Sequence, residues 1–140
     1  MIATRLLSAA KVELTVSKLI AGMSSNPRYD MLAAFHINRS AVFVLKAICA
    51  NYSGVAPETE DISDLIDIVK DVTPDEWFHE SGLATLRDCS SHLECATDFY
   101  LRGDNLDTFT AEERIAVYKL VDRVYTLCYS SFGDPLQGRC

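Results

Sequence analysis

The chain has 140 residues, of which 49% are hydrophobic and 24% are charged, and its net charge is −7. A chain of this length fits one domain with one hydrophobic core, and no run approaches the roughly 18 apolar residues that a membrane span requires. The acidic balance excludes attraction of nucleic acid by the surface as a whole, so such binding would need a local basic patch.

The N-terminus and the cysteines indicate the cellular compartment. Residues Met1 to Ala10 include Arg5 and run directly into Lys11 and Glu13, so they lack the uninterrupted apolar core of a secretory signal. The cysteines form no Cys-x-x-Cys pair, which argues against both a disulfide framework and a zinc site. They are Cys49, Cys89, Cys95, Cys128 and Cys140. We therefore expect a cytoplasmic protein with reduced thiols, without a metal or a cofactor, and without membrane contact.

The N-terminal part of the chain predicts two long helices. Apolar residues recur at helical spacing from about Ala3 to Gly22, and the turn at residues 24–27, Ser-Ser-Asn-Pro, ends this first helix. The second helix covers Tyr29 to Tyr52, a segment without internal Gly or Pro. Its recurring apolar residues are Met31, Leu32, Phe35, Val42, Leu45 and Ile48.

After Gly54 and Pro57, a short third helix is predicted, with acidic residues at its positive end. The acidic residues are Glu58, Glu60 and Asp61, and the apolar residues that follow at helical spacing are Ile62, Leu65, Ile66 and Val69. Residues 73–76, Thr-Pro-Asp-Glu, have the sequence of a capping box. They predict a single helical turn around Trp77 and Phe78.

The C-terminal part predicts two more long helices. A fourth helix runs from about Leu83 to Leu101, and the segment Thr110 to Glu113 is a second capping box that opens the fifth helix. Residues 131–140 are predicted to be a frayed tail, which leaves one domain over residues 1–130. Four long helices with short connections predict an all-α fold, an antiparallel up-and-down bundle with the short third helix at one end.

The order of these elements and a set of short motifs resemble the HEPN domain family over roughly residues 3–130. The motif residues are Phe35-His36, Ala41, Leu45-Lys46-Ala47 and Glu60-Asp61-Ile62 with Leu65. The resemblance implies an α-helical bundle that forms a homodimer. In many members it also implies a ribonuclease motif, an Arg followed after four to six residues by a His. Other members are non-catalytic partners of small nucleotidyltransferases.

The chain contains the ribonuclease spacing once, between Arg87 and His92, with the polar Asp88 directly after the arginine. An imidazole can move a proton near neutral pH, and a guanidinium can stabilise a phosphate as charge develops. The resemblance thus makes Arg87, His92 and Asp88 candidate catalytic residues of a metal-independent endoribonuclease, a toxin or phage-defence effector that cleaves RNA. Residues five apart on a helix lie about 140° apart around its axis. A dimer or a break in the helix must therefore bring the two groups to one phosphate.

The same segment has other interpretations. Short motifs recur by chance, so Arg87 and His92 also fit ordinary positions on the surface of a helix. Residues 93–104, with Tyr100 and Arg102, resemble a late segment of family members that lack the catalytic pair. Two hypotheses follow. The chain is a dimeric, non-catalytic module that binds a nucleotide, a nucleic acid or a partner such as a nucleotidyltransferase or an antitoxin, or it is the endoribonuclease.

The remaining polar and aromatic candidates favour structural roles. We expect His36 to be a half-buried helix residue with a hydrogen-bond partner, and His79 to follow a short turn without a part in chemistry. Aspartates at positions 61, 64 and 67 predict a solvated acidic face of the third helix rather than a metal site. The tyrosines of the fifth helix, Tyr118, Tyr125 and Tyr129, are expected in core or dimer contacts rather than stacked on bases.

Overall fold

The structure is a computed structural model that describes residues 2–23, 27–102 and 110–133. All regular secondary structure within these ranges is helical. The elements are α1 (Ile2–Ala21), α2 (Pro27–Ser53), α3 (Ile62–Val72), α4 (Asp75–Ser81), α5 (Leu83–Arg102), α6 (Ala111–Cys128) and a π-helical turn (Tyr129–Gly133). The all-α fold class predicted from the sequence is confirmed.

Helix α2 is the central element, because it contacts α1, α3, α5 and α6. Its longest interface is with α1, where the buried Ser40 hydroxyl donates a hydrogen bond of 2.8 Å to the carbonyl oxygen of Ala10. One turn away, His36 contacts Glu13. Because the residue number falls on α2 as it rises on α1, the two helices run antiparallel.

Helix α6 packs against both α1 and α2. The Arg114 Nε atom donates a hydrogen bond of 2.8 Å to Asp30 Oδ1 and so joins the first turns of α6 and α2. Towards the other end of α6, the Lys11 ammonium group lies 5.5 Å from the centre of the Tyr125 ring. Lys18 and Arg114 border one cavity between α1 and α6. These contacts show that α6 runs antiparallel to α1.

The burial of α2 explains its apolar composition. By length and composition alone, residues 28–53 would suffice to cross a membrane, a test that core helices of soluble proteins also pass. Polar residues such as Arg39 and Lys46 interrupt the segment, so no long run is purely apolar. Neighbouring helices cover its apolar side chains, and Ile37, Leu45 and Ile48 are fully buried.

The junction between α3 and α4 corrects one prediction. The Thr73 hydroxyl donates a hydrogen bond of 2.7 Å to the carbonyl oxygen of Val69 and closes the end of α3. The residue at the N-cap of α4 is Pro74, whose side chain makes no capping hydrogen bond. The capping box predicted at residues 73–76 is therefore wrong, and α4 has seven residues rather than a single turn. It ends at Gly82, whose φ of +83° favours glycine.

Two other helix starts follow their sequence signals. Asp61 is the N-cap of α3, and its Oδ1 atom accepts a hydrogen bond of 2.9 Å from the Asp64 backbone N–H group. At α6, Thr110 Oγ1 accepts a hydrogen bond of 3.1 Å from the Glu113 backbone, and the Glu113 carboxylate accepts one from the Thr110 backbone. The capping box predicted at this position is confirmed.

We expect Thr110→Ala to lower the free energy of unfolding by about 1 kcal/mol, because it leaves the Glu113 backbone N–H group in the first turn of α6 without its acceptor. Urea denaturation followed by circular dichroism measures the change. Thr15→Ala is the matched control, since that hydroxyl only donates to the Lys11 carbonyl oxygen within α1 and its loss should cost less than about 0.5 kcal/mol. Equal effects of the two substitutions would contradict the assignment.

The end of α6 continues into the π-helical turn, which contacts α1. The rings of Tyr125 and Tyr129 stack there, with their centres 6.0 Å apart. Residues 131–133, at the start of the predicted tail, belong to this turn. Residues 134–140 lie outside the described part of the chain.

Candidate functional site

The candidate residues Arg87, Asp88 and His92 all lie on α5. The backbone of α5 is continuous from Leu83 to Arg102, so it contains no break between Arg87 and His92. Two residues five apart on a continuous helix remain about 140° apart around its axis. Asp88 is exposed, and the side chain of His92 lies outside the described part of the structure. Within one chain, the backbone therefore does not bring Arg87 and His92 to one face.

The guanidinium group of Arg87 forms a salt bridge with Asp67 on α3. Nη2 of the arginine donates to Oδ1 of the aspartate, whereas the buried Nε atom has no hydrogen-bond partner among the described atoms. The side chains are 38% and 64% exposed, so water screens the pair and its contribution to stability is small. The pair nonetheless gives the arginine a carboxylate partner, which a phosphate would have to displace.

Among the described side chains next to Arg87, neither Ser90 nor Cys89 is an activated nucleophile. The Ser90 hydroxyl donates a hydrogen bond of 2.8 Å to the carbonyl oxygen of Arg87. Burial raises the pKa of the Cys89 thiol, and the negative charges of Asp88 and Glu113 raise it further. With its pKa raised, this thiol stays protonated near neutral pH. It is therefore unreactive, because the thiolate is the reactive form of cysteine.

The other described cysteines are free thiols in the core. Burial raises the pKa of Cys49 to about 11 and that of Cys128 to about 12. Both thiols remain protonated at any physiological pH and act as small apolar side chains. Cys95 and Cys140 lie outside the described side chains.

His36 has the structural role expected from the sequence. Its Nδ1 atom lies 2.6 Å from Glu13 Oε2, and both side chains are half-buried between α1 and α2. The edge of its ring also meets Phe35, with the ring centres 5.3 Å apart. The contact to Glu13 links the two helices through Nδ1 of His36.

His79 lies in a cleft that the sequence did not predict. The cleft has a volume of about 900 Å³ and lies between α4 and the end of α6, where its lining includes Trp77 and Arg123. Arg123 Nη2 donates a hydrogen bond of 3.3 Å to the carbonyl oxygen of Glu80. An imidazole and a guanidinium thus share one cleft, although no spacing motif connects residues so far apart in the sequence.

The structure joins two separate parts of the family motif. Lys46 Nζ lies 3.2 Å from Glu60 Oε1, and Arg39 Nη1 lies 3.7 Å from Glu60 Oε2. The neighbours of Lys46 in the motif, Leu45 and Ala47, are fully buried. The motif therefore places apolar residues in the core and attaches the segment before α3 to α2. These contacts give the motif residues a role in the fold.

The acidic residues of α3 are exposed, as predicted. Asp61 caps the helix and Asp67 pairs with Arg87, while Asp64 faces solvent. In the part of the chain that the structure describes, no group of three or more His, Cys, Asp or Glu residues could hold a metal ion. Tyr100, Arg102 and Asp104, which carry the other interpretation of the fourth predicted helix, lie outside the described side chains.

Fold and site together define an all-α protein in which the partly exposed Arg87 of α5 forms a salt bridge with Asp67 of α3. The HEPN domain family model matches residues 3–130. The chain therefore belongs to the HEPN family, as the motifs predicted. No match was found among curated proteins or among solved structures.

Proposed function

We propose that this HEPN protein is a non-catalytic module that binds a partner in the cytoplasm. The observation that carries the proposal is the salt bridge between Arg87 and Asp67. In a ribonuclease of the Arg-x4-His type, the arginine must meet the phosphate as negative charge builds on it. Here a carboxylate already contacts Nη2 of that guanidinium group, and its negative charge would repel an incoming phosphate.

The continuity of α5 limits how the candidate pair could act. Arg87 and His92 can act on one phosphate only if a second chain supplies one of them, because the helix between them is unbroken. The competing function, a metal-independent endoribonuclease with Arg87, His92 and Asp88 as its catalytic residues, thus has two requirements. A second subunit must complete the site, which the homodimer proposed below would supply, and Asp67 must release the arginine.

The family suggests the partners of such a module. We propose that the chain forms a homodimer and that it serves a small nucleotidyltransferase or an antitoxin. Light scattering after size-exclusion chromatography would give the mass in solution and so test the homodimer directly.

We expect the purified protein to leave RNA intact. The measurement is digestion of total RNA and tRNA in the presence of a chelator, with the wild type beside Arg87→Ala and His92→Ala. Asp67→Asn is a further variant, because it frees the Arg87 guanidinium of its carboxylate. Circular dichroism and light scattering on the same samples show whether each protein is folded and what its mass is.

Two results would contradict the non-catalytic proposal. Cleavage by the wild type that disappears in both Arg87→Ala and His92→Ala would establish the endoribonuclease, and faster cleavage by Asp67→Asn would show that the salt bridge restrains it. Cleavage that instead disappears in His79→Ala and Arg123→Ala would place the chemistry in the cleft between α4 and α6.

A further inference from the structure

Helix α1 has two apolar faces, only one of which packs into the core. The inner face lies against α2, and its residues Leu7, Ala10 and Leu14 are at most 1% exposed. On the outer face, apolar residues recur in steps of three and four, the spacing of a seam between two helices. These residues are Ile2, Ala9, Val12, Val16 and Leu19, continued by Met23 in the turn after α1, and we call the six residues the outer stripe.

The outer stripe is exposed over most of its length. Ile2, Val12, Leu19 and Met23 are between 55% and 69% exposed. The one position in the same register that is not apolar holds Arg5. A row of exposed aliphatic side chains at a strict helical spacing marks an interaction surface, whereas apolar residues scattered over a surface need no explanation.

Two residues of the outer stripe, Val12 and Val16, line a groove between α1 and α6. Two cavities of about 360 and 210 Å³ follow one another along this boundary. The first is lined by Ser8, Lys11, Val12, Thr15, Val16 and Tyr125, and the second by Lys18, Ala21, Arg114, Ile115, Tyr118 and Lys119. The groove measures about 20 Å along α1, which is the length of a helix of about 13 residues.

The charge of this groove is opposite to that of the whole protein. The described residues that line the two cavities include four cations and no carboxylate, although the chain has a net charge of −7. Arg114 is paired with Asp30. Lys11, Lys18 and Lys119 remain as exposed ammonium groups around an apolar floor. Burial raises the pKa of Tyr118 and of Tyr125, and the negative charge of Asp122 on α6 raises both further. Asp122 does not line either cavity.

We propose that the groove between α1 and α6 is the docking site for a helix of a partner protein, whose apolar stripe is flanked by acidic side chains. This inference rests on the proposed function and supplies the surface and the chemistry of the partner. Exposed aliphatic residues at heptad spacing match the apolar stripe of a helix. The lysines around the groove match its acidic flanks.

The same observations disfavour other occupants. A second copy of the chain that packed through α1 would bring the cations of the two α1 helices, Arg5, Lys11 and Lys18, close to one another, and like charges at an interface are costly. A nucleic acid would use the cations but would leave Val12, Leu19 and the other aliphatic side chains of the outer stripe without a partner. A helix with an apolar stripe and acidic flanks would contact both the aliphatic side chains and the cations.

The test uses two synthetic helical peptides of about three heptads, with Leu at positions a and d. One carries Glu at the flanking positions e and g, and the other carries Lys there. Fluorescence anisotropy measures the binding of each labelled peptide to the full chain. The wild type should bind the Glu peptide at least about tenfold more tightly than the Lys peptide.

Variants of the protein then locate the site. Val12→Gln with Leu19→Gln removes exposed apolar area, and Lys18→Glu with Lys119→Glu reverses the charge of the rim. Each pair should weaken binding of the Glu peptide about tenfold or more. Val55→Gln and Lys70→Glu are the matched controls, because both residues are exposed and lie outside the groove. Their affinities should equal that of the wild type.

Several results would overturn the proposal. They are equal binding of the two peptides, no binding of the Glu peptide up to about 1 mM, or binding that Val12→Gln with Leu19→Gln leaves unchanged. A wild-type dimer that this pair converts to a monomer would identify a second copy as the occupant. Binding of a single-stranded RNA that only Lys18→Glu with Lys119→Glu abolishes would identify a nucleic acid.

The peptide experiment and the RNA digestion fail independently. If the Glu peptide does not bind, only the docking proposal is refuted. The result of the RNA digestion, and with it the non-catalytic function, is unaffected. RNA cleavage that depends on Arg87 and His92 would refute the non-catalytic function, even if the Glu peptide binds in the groove.

Discussion

The Leu45→Ala variant is expected to lose about 3 kcal/mol of unfolding free energy, the largest single effect that we predict. Leu45 is fully buried on the central helix α2. Its removal costs the transfer free energy of the lost methyl and methylene groups, and the cavity left behind forfeits packing contacts. Because α2 contacts four other helices, the neighbouring side chains cannot all move to fill the space.

Denaturation in urea measures this change as a shift of the midpoint at constant slope. Leu19→Ala is the matched control, since the same atoms are removed from a side chain on α1 that is 66% exposed. It should alter the free energy of unfolding by less than about 0.5 kcal/mol. If Leu45→Ala were as mild as Leu19→Ala, Leu45 would not lie in the packed core.

The second large effect is expected at the ion pair between α2 and α6. Asp30→Ala should lower the free energy of unfolding by about 2 kcal/mol, because it leaves the Arg114 guanidinium without its partner in a nearly buried place. The two side chains are 17% and 15% exposed, and Arg114 Nε donates to Asp30 Oδ1 over 2.8 Å. Asp30 also lies in the first turn of α2, where the helix dipole favours a negative charge.

A matched variant separates burial from charge. Asp67→Ala also breaks an Asp–Arg pair between two helices, but Asp67 is 64% exposed, so the loss should stay below about 1 kcal/mol. A double-mutant cycle with Arg114→Met then isolates the energy of the pair itself. Equal losses for Asp30→Ala and Asp67→Ala would contradict the burial of the α2–α6 pair.

These two effects bear on how the HEPN motifs should be interpreted. Leu45 belongs to the motif that carried the resemblance, and Lys46 beside it contacts Glu60 of the second motif segment. The residues that identify the family are thus residues that hold α2 in the core and attach the segment before α3. Membership in the family follows from them, but catalysis by Arg87 and His92 does not.

The sequence determined the features that depend on residues close to one another along the chain. The helical spacing of apolar residues determined the all-α fold, and Thr110 with Glu113 determined the start of α6, since a capping box spans only four residues. The capping box predicted at residues 73–76 failed because the hydroxyl of Thr73 can either cap the helix that follows it or bond to the helix that precedes it. Its hydroxyl bonds backwards to Val69 and ends α3.

Only the tertiary structure decided which distant side chains meet. Arg87 meets Asp67, Lys46 meets Glu60 and Arg114 meets Asp30, and no spacing in the sequence predicts these pairs. The groove between α1 and α6 arises in the same way, from one exposed face of each helix. The physical reason is that helix periodicity assigns each residue to a face, whereas the packing of buried faces in one shared core decides which helices become neighbours.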